Sequence, residues 1–270
     1  MEYKGLTLDK FQVDAITSIE NNHSVVVSSP TGSGKTLIAD SIIQNHIDKG
    51  NKVIYTAPIK ALSNQKYKEF SSEYGKEKIG LVTGDITINP TAPVVIMTTE
   101  IYRNMAISGD PALKKVAYVI FDEIHFINDV QRGYVWEESI IFSGKHVRFL
   151  CLSATIPNAQ EFSDWITAIK GHTVDTIIND NRPVPLHRKF FNIEDGITTL
   201  EDMKNKHDKH KLFFVRRRKI SKPVNPYIKT HVELVSLIRD QLPCFFFTFS
   251  RRKCQENALE LVKTKMFKAD

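Results

Sequence analysis

Two groups of residues in this chain have the types and the order that phosphate chemistry needs. The first ends in Lys35 and Thr36 and is the glycine-containing run Pro-Thr-Gly-Ser-Gly-Lys-Thr at positions 30–36. The second is the adjacent acid pair Asp122 and Glu123. A lysine and a hydroxyl next to glycines can hold phosphates and a divalent cation, and two carboxylates can hold the cation and a water molecule. The two motifs therefore predict a nucleoside triphosphate site.

Local sequence gives the first group the setting of a phosphate-binding loop. Residues 24–28 form a short valine-rich run that predicts a strand, and apolar residues then recur with helical spacing between 37 and 43. Because the loop joins this strand to this helix, its backbone N–H groups at 32–36 would point at a β-phosphate near the positive end of the helix. Lys35 would bridge the β- and γ-phosphates, and Thr36 would ligate Mg²⁺.

The acid pair follows the apolar run at 116–121, which predicts a buried parallel strand. Ligands of open α/β sheets bind outside the carboxyl ends of the strands, so the acids should lie at the same edge as the phosphate-binding loop. Asp122 would hold Mg²⁺ through water, and Glu123 would orient and deprotonate the attacking water. We therefore predict Glu123, Lys35 and Asp122 as catalytic residues, and Thr36 and Asp122 as metal-binding residues.

Short apolar runs alternate with helix-periodic stretches along most of the chain. This alternation predicts an α/β fold with a parallel sheet and crossover helices. The predicted strands are 24–28, 52–57, 79–82, 93–97, 116–121, 147–152 and 173–178. The predicted helices are 9–20, with Asp9 as N-cap, and 35–49, 59–73, 99–107, 132–143 and 158–169.

A domain boundary is predicted near Pro183 and Pro185, where two prolines interrupt the alternation. Residues 1–182 would form one domain, and residues 183–270 would begin a second α/β domain that is cut short. The predicted elements of this second part are strands at 186–191 and 244–249 and helices at 227–241 and 251–267.

Charge and composition limit the class of protein. The net charge is +6, yet residues 203–222 alone carry nine Lys or Arg against one Asp, so the rest of the chain is net acidic. This basic segment would either contact phosphates or form a solvated connector.

No apolar stretch approaches the roughly 20 residues of a membrane span, and the first residues lack the apolar core of a secretory signal, so we expect an intracellular protein. Three cysteines without paired spacing predict neither a disulfide nor a structural metal.

The order of three motifs resembles that of superfamily 2 helicases: the phosphate-binding loop, then Asp122-Glu123-Ile124-His125, then Ser153-Ala154-Thr155. Other segments resemble the superkiller branch of that superfamily, the RNA helicases that feed the exosome. These segments are 55–67, 83–90, 97–105 and 132–138, with 245–254 similar to motif IV. The resemblance extends from Leu8 to Cys254, and the number of ordered motifs makes it specific.

The resemblance implies a RecA-like P-loop NTPase domain, followed by an incomplete second RecA-like domain, in an ATP-dependent RNA helicase. It implies ATP and Mg²⁺ as cofactors, single-stranded RNA as substrate and a 3′ to 5′ direction of movement. Exosome-associated proteins would be the partners of a monomer in the cytoplasm or nucleus. Nucleotide binding would be carried by Gln12, which reads the adenine edge, and by Pro30, Thr31, Gly32, Ser33, Gly34, Lys35 and Thr36.

The resemblance also implies a nucleic-acid surface and residues that couple it to the nucleotide. His125 and the hydroxyls of Ser153 and Thr155 would do the coupling, and we expect those hydroxyls to hydrogen-bond the acidic motif and each other. The residues of the nucleic-acid surface would be Pro58, Lys60, Asn64, Thr83, Gly84, Asp85, Thr98, Thr99, Glu100, Arg103 and Ser250.

The chain departs from the family pattern at several points. Pro30 and Gly32-Ser33 stand where many members of the superkiller branch have a His and a Ser-Ala pair. Ser29 replaces a glycine of the phosphate-binding loop, Leu6 stands where an aromatic residue often stacks on adenine, and motifs V and VI with their arginine fingers are missing. An arginine finger contributes a factor of about 10³–10⁵ to the rate of phosphoryl transfer, so we predict that the chain binds Mg-ATP but hydrolyses it poorly.

Two alternative functions remain open: a superfamily 2 DNA-repair helicase, and a non-catalytic module that holds nucleotide or RNA. A small-molecule phosphotransferase is disfavoured because it would not need segments 98–105 and 132–138.

Overall fold

A computed structural model describes residues 2–47, 49–192, 196–205 and 230–264 of the chain. They belong to two units, Met1–Pro185 and Leu186–Asp270, which separate next to the prolines at which the sequence predicts a domain boundary. Most of the basic segment 203–222 lies outside the described residues. Within the described ranges, no helix has the length and apolar character needed to cross a membrane.

The strands of the first unit are β1 (Glu2–Tyr3), β2 (Leu6–Thr7), β3 (Ser24–Ser28), β4 (Lys52–Ala57), β5 (Ile79–Val82), β6 (Thr87–Ile88), β7 (Val94–Thr98), β8 (Val116–Phe121), β9 (Arg148–Ser153) and β10 (Val174–Ile178). Its α-helices are α1 (Lys10–Glu20), α2 (Thr36–His46), α3 (Lys60–Tyr74), α4 (Thr99–Ser108), α5 (Tyr134–Phe142) and α6 (Ala159–Lys170). Every strand and helix predicted for this unit is confirmed, with small shifts at the ends. The three strands that were not predicted have only two residues each, too few to produce a periodic pattern.

Eight strands form one sheet in the order β10, β3, β9, β8, β4, β7, β5, β6. Neighbours in this sheet are parallel except β5 and β6, which are antiparallel. The hairpin of β1 and β2 is separate. The α/β fold with a parallel sheet is therefore confirmed, and its loops after β3, β8, β4, β7 and β5 all leave from the carboxyl edge.

Alternate residues of the strands point to opposite faces of the sheet and belong to two apolar cores. Val25 and Val27 of β3 belong to a buried cluster with side chains of α1, α2 and α3, whereas Val26 belongs to a second cluster with side chains of α4, α5 and α6. The sheet is thus covered on both faces, which explains why its strands appear in the sequence as continuous apolar runs.

The second unit contains the antiparallel strands Phe190–Asn192 and Gly196–Thr198, the helices Thr230–Leu237 and Arg251–Lys263, and a 3₁₀ turn at Arg239–Gln241. The predicted strand at 244–249 is wrong. A run of aromatic residues becomes a strand only when a neighbouring ladder accepts its hydrogen bonds, and the described residues of this unit offer no such ladder beside it. The predicted strand at 186–191 is longer than the observed one, and the predicted helix at 227–241 ends at Leu237. Residues 227–229 of that helix and residues 265–267 of the predicted helix at 251–267 lie outside the described residues.

Candidate nucleotide-binding site and neighbouring strand ends

The phosphate-binding loop lies between β3 and α2, as predicted. Gly32 and Gly34 both have φ +83°, a left-handed conformation that residues with a side chain rarely adopt. A Cβ atom on Gly34 would in addition lie 2.7 Å from Nε2 of Gln12. The backbone of the loop therefore requires glycine at these two positions.

Gln12 supports the loop from the start of α1. Asp9 is the N-cap of this helix, as predicted, and its backbone N–H donates to Oε1 of Gln12 at 2.9 Å. Nε2 of Gln12 donates to the carbonyl oxygens of Gly34 at 3.0 Å and Ser33 at 3.5 Å, and the side chain is buried. The amide thus ties α1 to the loop, a contact that the sequence analysis did not identify. Its predicted recognition of adenine stays a prediction.

Ser29 adds a bridge across the loop where the motif normally has glycine. Its Oγ lies 2.5 Å from Oγ of Ser33 and accepts a hydrogen bond from Nδ2 of Asn179 at 3.4 Å. Its backbone N–H donates to the carbonyl of Ser153 at 3.2 Å. Ser29 has no positive φ, so a side chain is tolerated there.

Lys35 is the cation of the site. Its Nζ donates to the carbonyl oxygens of Ser29 at 2.7 Å and Pro30 at 2.9 Å. Burial lowers the pKa of this ammonium, and the nearby charges of Glu123 and Asp122 partly offset the effect. The structure therefore brings the lysine and the acid pair together at one edge of the sheet. A partly desolvated ammonium with only neutral acceptors is well suited to a phosphate anion.

The acid pair directly follows β8. Oδ2 of Asp122 accepts from the hydroxyl of Tyr55 at 2.5 Å, and Oδ1 accepts from the backbone N–H of Glu123 at 3.0 Å. Glu123 has φ +52° and ψ +45°, a left-handed conformation that is uncommon for glutamate and typical of functional turns. Burial raises the pKa of Tyr55 well above its usual range, and the charge of Asp122 raises it further, so this hydroxyl remains a donor.

Of the predicted coupling residues, His125 lies in this turn, and the hydroxyls of Ser153 and Thr155 do not form the expected hydrogen bonds. Nδ1 of His125 lies 3.3 Å from Oε2 of Glu123 without a hydrogen bond between them. Ser153 is buried, and within the described part of the chain its Oγ has no hydrogen-bond partner, while Thr155 is exposed. The expected bonds from these hydroxyls to the acidic motif are therefore wrong. Ser153 is the last residue of β9 and contacts the phosphate-binding loop through its carbonyl, at Ser29.

The ends of β4, β7 and β5 lie side by side in the sheet and carry most of the predicted nucleic-acid surface. Lys60, at the start of α3, pairs with Asp85 in the loop after β5, and both side chains are exposed. Gly84 lies under this pair, because a Cβ there would be 3.5 Å from Nζ of Lys60. The helices α3 and α4 both begin at this edge, and their N-cap residues, Ile59 and Thr98, make no side-chain cap hydrogen bond.

Arg132 connects this edge to the segment after the acidic motif. Its guanidinium donates to the carbonyl of Pro58 at 2.8 Å and pairs with the carboxylate of Glu100. Arg103 pairs with Glu138 in the same way. Two residues predicted for the nucleic-acid surface, Glu100 and Arg103, therefore also form ion pairs that join α4 to segment 132–138.

The other predicted surface residues differ in exposure. Thr83, Thr98 and Thr99 are buried, and Oγ1 of Thr99 donates to the carbonyl of Ala57 at 3.4 Å. Asn64 is half-buried on α3. Ser250 belongs to the second unit, where it is exposed and caps helix 251–263 by accepting from the backbone N–H of Lys253 at 3.3 Å. The side chains of these three threonines are therefore little exposed to a ligand.

A glycine loop between a parallel strand and a helix, with a lysine beside acids that end a second strand, defines a P-loop nucleoside triphosphatase. The chain belongs to the DEAD/DEAH box helicase family, whose model matches residues 9–162. Helicases of this family use ATP.

The chain is similar to proteins named as RNA helicases. It is 40% identical over 276 residues to the human exosome RNA helicase MTR4, an alignment that covers 95% of this chain and 26% of the relative. It is 38% identical over 280 residues to the ATP-dependent RNA helicase DExH9 of Arabidopsis thaliana, covering 95% of this chain and 28% of the relative. The predicted resemblance to exosome-associated helicases is confirmed. The chain spans about a quarter of the length of these relatives.

Solved structures confirm the RecA-like fold class. The helicase Lhr of Mycobacterium smegmatis, solved with single-stranded DNA and AMP-PNP, matches with a TM-score of 0.64 over 96% of this chain and 34% of its own. The sequence identity of that pair is 21%, so the likeness concerns the fold alone.

Proposed function

We propose that this chain is the nucleotide-binding lobe, with the beginning of the second lobe, of an ATP-dependent RNA helicase that acts in RNA processing or decay. The observation that carries the proposal is the proximity of Lys35 to Asp122 and Glu123 beside the strand ends that hold Lys60 and two helix N-termini. Similarity to exosome RNA helicases along 95% of the chain supports RNA as the polynucleotide. The whole protein would act in the cytoplasm or nucleus, as a monomer that meets exosome-associated proteins and moves 3′ to 5′.

The residues of the site fit Mg-ATP. The loop with its positive-φ glycines lies at the positive end of α2, where backbone N–H groups of residues 32–36 would donate to phosphate, and Lys35 would exchange its two loop carbonyls for phosphate oxygens. Thr36 and Asp122 would hold the Mg²⁺, which neutralises charge on the phosphates when bound. Glu123 would accept a proton from the attacking water. Gln12 would contribute to base recognition from its place behind the loop.

The strand ends beside the site suit the backbone of a single strand. Lys60 supplies a charge, and the uncapped starts of α3 and α4 supply N–H groups with positive potential. None of these groups distinguishes one base from another, so binding would be independent of sequence. His125, Ser153 and Thr155 would report the state of the nucleotide to this surface.

Equilibrium binding of a fluorescent ATP analogue in Mg²⁺ tests the nucleotide part of the proposal. We expect Lys35→Ala to weaken binding by at least about tenfold, because a charge-assisted contact to phosphate is lost. Lys66→Ala is the matched control, since Lys66 pairs with Glu69 on α3 and should leave the affinity unchanged. Equal affinity of the wild type and Lys35→Ala would refute the nucleotide site.

Binding of matched RNA and DNA single strands, together with Mg-ATP turnover, tests the rest. We expect preference for RNA, because recognition of the 2′-hydroxyl separates the two polymers, and turnover near background despite nucleotide binding. Preference for DNA would instead favour the repair-helicase alternative. An RNA affinity that is the same in the wild type and in Lys35→Ala, with and without ATP, would favour a binding module without catalysis.

A further inference from the structure

Tyr55 is a polar side chain in a fully buried part of the sheet. It lies in β4 and has no exposed surface, and its neighbours Val53 and Ile54 are equally buried. A buried hydroxyl is destabilising unless it finds a hydrogen-bond partner. The partner of Tyr55 is Oδ2 of Asp122, at 2.5 Å. The sequence motifs did not identify this residue, although a tyrosine inside an aliphatic strand is a recognisable signal.

The ring of Tyr55 is held rigidly by the core. Phe70 of α3 packs edge-on against it, with ring centroids 5.5 Å apart and an interplanar angle of 71°. Both rings belong to the core cluster between the sheet and α1, α2 and α3. Because close-packed interiors fix side chains in single rotamers, the hydroxyl is a donor at a defined position.

Two hydrogen bonds orient the carboxylate of Asp122: Tyr55 donates to Oδ2, and the backbone N–H of Glu123 donates to Oδ1. The main chain of Asp122 is held separately, because its backbone N–H donates to the carbonyl of Thr56 at 3.0 Å. Of the two donors to the carboxylate, Tyr55 is the side chain. Each carboxylate oxygen has a second acceptor site, so the two hydrogen bonds leave Asp122 able to accept from metal-bound water.

We propose that Tyr55 is a positioning residue for the metal of the nucleotide: its hydroxyl holds the carboxylate of Asp122 in the orientation that holds Mg²⁺. The inference rests on the proposed Mg-ATP site and adds to it a residue that has no contact with the nucleotide. Groups that orient metal-holding side chains typically contribute about 10–100-fold to metal affinity or activity. Loss of the hydroxyl should therefore change the Mg²⁺ requirement and leave contacts with the phosphates intact.

Tyr55→Phe removes the hydroxyl and keeps the ring. Tyr102→Phe is the matched control, because Tyr102 is also fully buried, and its hydroxyl lies 2.5 Å from Oγ of Ser143 in the other core. Affinity for a fluorescent ATP analogue is measured in EDTA and then across a Mg²⁺ titration, with thermal unfolding as the check of folding. We expect Tyr55→Phe to match the wild type in EDTA and to need about tenfold more Mg²⁺ for half-maximal enhancement of binding. Tyr102→Phe should behave as the wild type in both.

A Mg²⁺ titration of folded Tyr55→Phe that coincides with the wild type would overturn the inference while leaving the nucleotide site intact. Failure of the wild type to bind the analogue would instead refute the proposed function itself. In an Asp122→Ala background, Tyr55→Phe should have no further effect on the Mg²⁺ requirement, whereas an undiminished effect there would also overturn the inference.

Phe70→Leu provides a second variant if Tyr55→Phe does not fold. It keeps the hydroxyl but loosens the packing against the ring of Tyr55. We expect a smaller increase in the Mg²⁺ requirement, with unchanged affinity in EDTA. An unchanged Mg²⁺ titration of this variant would count against the inference in the same way.

Discussion

The side-chain amide of Gln12 joins the first turn of α1 to the phosphate-binding loop, with Nε2 at 3.0 Å from the carbonyl oxygen of Gly34. The other end of the amide accepts from the backbone N–H of Asp9. Because the side chain is buried, both hydrogen bonds are shielded from water. The conformation of the loop therefore depends on a residue that precedes it by a whole helix and strand.

Gln12→Ala should weaken nucleotide binding and lower stability together. The substitution removes one hydrogen bond to the carbonyl of Gly34, which still accepts from the backbone N–H of Leu37, so we expect a loss of about 0.5–1.5 kcal/mol of unfolding free energy. We expect an affinity for the ATP analogue about five- to tenfold lower. Without the contact from Gln12 the loop is less ordered, and part of the free energy of nucleotide binding is used to order it. Denaturant unfolding and equilibrium binding are the measurements. Gln65→Ala is the control, since the amide of Gln65 is exposed and contacts Glu69 on its own helix; equal losses in both variants would contradict the prediction.

Glu123→Asn should stabilise the chain. Glu123 has φ +52°, and asparagine occupies that left-handed region at lower cost than glutamate. We expect a gain of about 0.5–1 kcal/mol in the free energy of unfolding, measured by denaturant titration at neutral pH. Glu137→Asn is the control, because Glu137 lies in the regular helix α5, where asparagine has the lower helix propensity. A loss of stability in Glu123→Asn comparable to that of the control would show that the turn is not strained.

Lys60→Ala should reduce the salt dependence of binding to single-stranded RNA. Each phosphate neutralised by a lysine contributes about 0.7 to the slope of log affinity against log salt concentration for single strands. We therefore expect the slope to fall by about that amount. Asp85→Asn should have the opposite effect, since it removes the carboxylate that pairs with Lys60.

Lys66→Ala is the control for charge on the same helix, and its slope should equal that of the wild type. The slopes are compared by measuring RNA affinity with fluorescence anisotropy at salt concentrations between about 50 and 200 mM. A Lys60→Ala slope indistinguishable from the wild type would place the strand elsewhere on the protein.

His172 should make the chain sensitive to acid. Burial lowers its pKa to about 4, with the charges of Arg148 and Lys170 contributing, and its Nε2 lies 2.7 Å from Oγ of Ser24. The unfolded chain has the ordinary histidine pKa of about 6.5, so it binds the extra proton first as the pH falls. The free energy of unfolding should therefore decrease between pH 6.5 and 4. Partial exposure screens the effect, which we expect to be about 1–2 kcal/mol.

Urea unfolding of His172→Gln across the same pH range checks this prediction. The variant should lose part of the acid sensitivity of the wild type. The exposed His187 provides the control, because His187→Gln should leave the pH profile unchanged. Identical profiles for His172→Gln and the wild type would assign the acid sensitivity to other groups.

Most of the first unit was predictable because the sequence signals for its strands and helices are local. The strands of the parallel sheet are apolar runs covered on both faces, and most of them are followed by a helix with its own periodicity. The first helix, α1, also has a local start signal in its N-cap Asp9. The second unit was less predictable. The aromatic run at 244–249 has strand propensity, but propensity alone does not make a strand, and among the described residues no partner ladder lies beside this run.

The sequence by itself determined the chemistry of the candidate site: Lys35, Asp122 and Glu123 were identified from residue type, order and position after strands. Only the tertiary structure decided which other residues hydrogen-bond to the site and orient it. The hydrogen bond from Tyr55 to Asp122 and the one from Gln12 to Gly34 join residues that are distant in the chain. The first depends on β4 lying beside β8 in the sheet, and the second on the packing of α1 beside the loop. Local patterns carry no information about which distant side chains meet, because packing of the whole unit brings them together.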